Sequence, residues 1–192
     1  MSLDVASQSQ GRSAMLVVMA GAVLAQAAIF ERGSFSFEES VEEDLCGIAV
    51  RRDSTANVKF GIRTGKGRVD QAFFGMDRYS YSNTFTNLAT GAFFTVEGKA
   101  VFKDVKATPL GGNIFEFKVL EAGTPIVIRD MNGKVVLRDR GAIFRTIIFD
   151  TLGDSKPGGV IVSETIDRVS GPHPDLDMDE ATFCALVHDL IG

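Results

Sequence analysis

A chain of 192 residues, 45% of them hydrophobic, has room for one domain with a sizeable core and little room for two. Its net charge of −5 supplies no basic field for phosphates, which argues against a nucleic-acid partner. With 15 Phe, 20 Gly and no Trp, the composition favours strands broken by turns.

Residues 14–28 carry no charge, follow Arg12, and contain Ala25-Gln26-Ala27, small residues at the positions a signal peptidase reads. They read as a secretory signal peptide over residues 1–27, leaving 28–192 as a single β-rich domain that is secreted or held in the cell envelope. The run is shorter than the ~20 apolar residues of a membrane span, so no stable span is expected after cleavage. A buried N-terminal helix and an uncleaved anchor are the alternatives.

From Ser34 the pattern becomes period-2 alternation, the mark of half-buried strands. Candidate strands cover 34–38, 47–52, 56–63, 69–74, 79–85, 93–96, 100–105, 114–119, 126–128, 135–137, 141–149 and 160–166. Glu97-Gly98-Lys99 reads as a hairpin turn. Asn132-Gly133 reads as the two-residue loop of a type I′ hairpin. After Pro172 and Pro174, Asp177 and Glu180 have capping-box spacing. Phe183, Leu186, Val187 and Leu190 then recur at helical intervals, which predicts a helix over about 179–190. The fold expected is all-β: an antiparallel β-barrel, lipocalin-like or allene-oxide-cyclase-like, or a coiled sandwich, with one short C-terminal helix.

The two cysteines, Cys46 and Cys184, lie near opposite ends of this body. In an exported chain they pair as a disulfide worth about 4–5 kcal/mol by loop closure; in a reducing compartment they stay as buried thiols. Phe37 to Asp44, Leu45-Cys46-Gly47, Asn87-Leu88-Ala89-Thr90-Gly91, Asn132-Gly133-Lys134 ahead of Phe144-Arg145, and Phe183-Cys184-Ala185-Leu186 can be taken together. In this set the chain resembles a loose group of exported actinobacterial proteins with an all-β body and a C-terminal helix carrying the second cysteine. The resemblance implies secretion, a barrel-like body and a disulfide, and brings no activity or catalytic residue.

No nucleophile elbow, P-loop or dinucleotide fingerprint is present, so no catalytic residue and no cofactor is assigned. The two histidines, His173 and His188, lack metal-ligand spacing, and no metal site is assigned. The acidic run Glu38 to Asp44 reads as solvated charge beside a sheet edge, and Asp175-Asp177-Asp179 as helix capping rather than a Ca²⁺ loop. Tyr79 and Tyr81 share a strand face with Asp77; with Phe93 and Phe115 they are the candidate ligand contacts. The functional expectation is a secreted, non-catalytic β-barrel module binding a small hydrophobic ligand. The alternatives are a barrel enzyme of the allene-oxide-cyclase or dirigent kind and a structural cell-envelope protein.

Overall fold

A computed structural model describes residues 30–65 and 72–192. The expected signal peptide over 1–27 and the start of the 69–74 strand lie outside the described residues. One antiparallel sheet is formed by β1 (Phe30–Leu45), β2 (Ile48–Thr64), β3 (Phe73–Asn87), β4 (Phe93–Gly111), β5 (Ile114–Arg129), β6 (Val135–Arg138), β7 (Gly141–Asp150) and β8 (Val160–Ser170). One helix, α1 (Glu180–Ile191), follows. The order across the sheet is β1-β2-β3-β4-β5-β7-β8, and β6 continues the β5 edge beyond β7.

The all-β body with a C-terminal helix is as the sequence led one to expect, and the closed barrel is not. Among the described residues β1 pairs with β2 alone and β8 with β7 alone, so the sheet stays open between these two edges. Both edges carry charge: Glu38 to Asp44 on β1, and Glu164, Asp167 and Arg168 on β8. Edge charges oppose further strand addition.

The strands are fewer and longer than the sequence pattern suggested, because alternation continues through polar residues. Glu97-Gly98-Lys99 is no turn. It lies inside β4 at a register shift, where Gly98 sits beneath the Tyr81 ring and the Pro125 carbonyl. The acidic run is part of β1, and Glu39 and Glu43 lie 3.6 and 2.9 Å from Arg52 on the neighbouring strand.

Turn chemistry also differs. The type I′ geometry, with positive φ at both central residues, belongs to Cys46 (57°) and Gly47 (81°), between Leu45 and Ile48. At Asn132-Gly133 only Gly133 has positive φ (79°). There Asp130 pairs with Lys134 around a three-residue loop, and the Asp130 carboxylate accepts from the Asn132 and Lys134 N–H groups. That side chain supports the turn, so the shorter loop is not needed.

Burial along β5 alternates strictly through Phe115, Phe117, Val119 and Glu121, which defines a buried face and an outer face. Two apolar clusters occupy the buried face. One gathers Phe115, Phe117, Val119 and Ile147, with Phe74 and Phe149 set edge-on to Phe117. The other gathers Val50, Phe85, Phe94, Ile126 and Ile128 against Val187 and Ile191 of α1. Phe85 and Phe94 stack at 5.0 Å between ring centres.

The helix N-cap lies two residues beyond the position the capping-box reading gave it. Asp179, not Asp177, is the N-cap, and its carboxylate accepts from Thr182 N–H at 2.8 Å. Cys184 is joined to Cys46 in a disulfide with the Cα atoms 5.3 Å apart. No helix of the described residues is long and apolar enough to cross a membrane.

Candidate functional site

The register across β2 to β5 sets two rows of outer-face residues side by side. Lys59, Arg78, Val101 and Ala122 form one row. Asn57, Ser80, Lys99 and Thr124 form the next. Between them lies an open groove of about 550 Å³ with a mainly apolar lining, whose floor includes Ala100 and Gly123. This volume falls within the range of small-molecule sites.

Two backbone features shape it. Glu97 pairs with Val127 and Lys99 with Thr124, so two β5 residues, Pro125 and Ile126, face the single Gly98 in a bulge at the groove's end. Gly123, at φ 146°, lets β5 approach closely; a Cβ there would meet Lys99 O at 2.6 Å.

Every charged side chain lining the groove is a cation: Lys59, Arg78 and Lys99. Lys59 and Arg78 stand directly opposite each other on adjacent strands, a destabilising juxtaposition for like charges. Among the described residues none of the three lies within ion-pair distance of a carboxylate. An anion in the groove would relieve that repulsion. A second, smaller groove, about 400 Å³, is lined by Glu38, Glu39, Ser40, Asp53, Ser54, Thr55, Ser82 and Thr84 and is acidic.

Polar groups also lie on the buried face, directly beneath. Tyr79 donates its hydroxyl hydrogen to Glu121, which is also 3.2 Å from Arg145, and Arg145 reaches Glu164 at 2.5 Å. Tyr81 donates to the Pro125 carbonyl at 2.9 Å. Further along, the Asp104 carboxylate takes the Gly75 N–H at 2.6 Å where β3 leaves β4. Burial pushes the Asp104 carboxyl up to about 7, helped by the nearby Asp77 charge and opposed by the Gly75 hydrogen bond and Arg63. Burial alone raises Asp77 to about 6.

The candidate ligand contacts do not converge. Tyr79, which lines the groove, and Tyr81 are stacked neighbours, 6.4 Å between ring centres, with their hydroxyls engaged in the fold's own bonds. Phe115 belongs to the buried cluster of β5 and β7. Phe93 pairs with Thr86, whereas its neighbour Phe94 is the one turned into the core. Sequence reasoning missed Lys59, Arg78 and Lys99 as a set; their union needs the register of three strands, which no local pattern carries. The Tyr79–Glu121–Arg145 network was half visible, in the shared face of Asp77, Tyr79 and Tyr81.

The fold and disulfide define an open-sheet, all-β protein with a covalently docked C-terminal helix. Comparison with protein-family models, with curated proteins and with solved structures gave no match.

Proposed function

We propose that this chain is an exported, non-catalytic binding module. Its outer groove takes a small ligand with an apolar body and an anionic head. The observation that carries the reading is the convergence of Lys59, Arg78 and Lys99 on a mainly apolar floor with no carboxylate among the lining residues. Ligand sites of this make-up rely on apolar contact for affinity and a few charges for orientation. Export is supported by the Cys46–Cys184 disulfide, since such bonds persist mainly in oxidising compartments. Native mass spectrometry of the chain purified from its own host tests the reading. A co-purifying acidic amphiphile is the expected result, and its repeated absence would count against the proposal.

A second reading, an acid–base enzyme of the allene-oxide-cyclase or dirigent kind, draws on one observation. Asp77 and Asp104 both titrate near neutrality on the buried face, the condition under which a carboxyl can give and take protons. It needs a substrate to reach that face. Protection of Asp77 and Asp104 from carbodiimide labelling by bound ligand would favour it over the groove.

A further inference from the structure

The geometry points to a divalent transition-metal site of the zinc type at Asp139, His173 and Asp175, where the chain leading into α1 crosses the β6–β7 corner. Asp139 sits between β6 and β7, with its N–H on the Ile126 carbonyl. The crossing loop is fixed beside it: Arg140 N–H bonds to Pro172 O at 2.9 Å, and Asp175 N–H reaches an Asp139 carboxylate oxygen at 3.3 Å. His173 stands between Pro172 and Pro174, whose rings restrict the backbone on both sides.

The imidazole carries the argument. His173 is buried, its side chain only 2% exposed, and neither ring nitrogen makes a hydrogen bond. A buried imidazole normally finds at least one partner. Its Nδ1 instead lies 3.5 Å from Asp139 Oδ2, longer than a good hydrogen bond. Two tetrahedral ligands with bonds of about 2.0–2.2 Å stand roughly 3.3–3.6 Å apart, so this separation is that of neighbouring zinc ligands. Asp175 Oδ1 is likewise buried without a hydrogen bond, and one donor atom from each of the three residues lies within 4.8 Å of the others.

One nitrogen and two carboxylate oxygens suit Zn²⁺, with water at the fourth position. Calcium, which takes six or more oxygens, fits poorly. Two carboxylates and a neutral imidazole also match the charge of a divalent ion. Such an ion would clamp the loop preceding Cys184, complementing the disulfide.

The test uses the tag-free, disulfide-intact full chain, stripped with a chelator and titrated with Zn²⁺ and, separately, Ca²⁺ by calorimetry and thermal denaturation. One Zn²⁺ per chain with a raised melting midpoint is expected, and no comparable effect of Ca²⁺. Asp139 is buried and its variants risk misfolding, so the decisive substitutions are His173→Ala and the half-buried Asp175→Asn. Each should weaken zinc binding at least tenfold while the zinc-free far-ultraviolet dichroism stays native, and His188→Ala should bind as the parent does. Absence of stoichiometric zinc, or binding that survives both decisive substitutions, would overturn the proposal.

Discussion

His188 Nε2 lies 3.1 Å from the carbonyl oxygen of Cys46, one helical turn beyond the disulfide that joins Cys46 to Cys184. The type I′ turn at Cys46-Gly47 therefore meets α1 through a covalent bond and a polar contact at once. Val187 and Ile191 fill the adjoining core. A helix of 12 residues has little stability of its own, so these contacts decide whether it stays docked.

Removing the disulfide should be costly. The bond closes a loop with a sequence separation of 138 residues, and closure of that size is worth about 4–5 kcal/mol in the chain-entropy model. The double variant Cys46→Ser, Cys184→Ser should lower the denaturant midpoint accordingly. An unchanged midpoint would mean that the remaining contacts of α1 suffice.

Asn87 fastens the other end of the helix. Its side-chain amide donates to the Ile191 carbonyl at 2.7 Å, and its carbonyl accepts from Ala89 and Thr90 N–H. Asn87→Ala removes three bonds at a buried position and should cost about 2–3 kcal/mol in chemical denaturation. Proteolysis that releases the C-terminal segment faster than in the parent would locate the loss at the helix.

Asp104 makes stability depend on pH in the opposite sense to a salt-bridged carboxylate. Its folded pKa, about 7, lies above the unfolded 3.8, so the native state holds a proton that the unfolded state releases. That contribution is full below pH 3.8 and is lost as pH rises to about 7; each unit corresponds to roughly 1.4 kcal/mol. Asp104→Asn, which keeps an acceptor for Gly75 N–H, should stabilise the chain by a few kcal/mol at pH 8. At pH 4 it should have little effect. Equal effects at both pH values would show that the carboxyl does not titrate as described.

Gly98 has no space for a methyl group, since a Cβ would overlap the Pro125 carbonyl oxygen and the Tyr81 ring. Gly98→Ala should cost about 1–3 kcal/mol by overpacking and break the Tyr81–Pro125 bond. Tyr81→Phe, which loses that bond alone, should cost less, and the difference between the two isolates the steric part by thermal denaturation.

Much of the fold was legible in the sequence. Phe35, Phe37, Ala56, Val58, Phe115 and Phe117 alternate as strands should, and the helix carrying Cys184 begins one residue from its expected start. What escaped was set by side chains or by distance. Asp130 rebuilt the Asn132-Gly133 turn, the Tyr81 ring kept Gly98 in a strand, and charges on β1 and β8 accompany an open sheet where a barrel or a coiled sandwich was expected. The groove escaped because Lys59, Arg78 and Lys99 meet only through ladder register. His173 is a loop residue, as its flanking prolines suggest; what escaped is that the loop buries it.

The groove's charge is the centre of the functional account, and a matched pair of ligands tests it most directly. Calorimetric titration of the full chain with dodecanoate and with dodecanol compares one apolar body with and without an anionic head. Dodecanoate should bind at least tenfold more tightly, and the triple variant Lys59→Ala, Arg78→Ala, Lys99→Ala should abolish that preference while its thermal denaturation stays native-like. Equal binding of the two ligands, or no binding of either, would contradict the account.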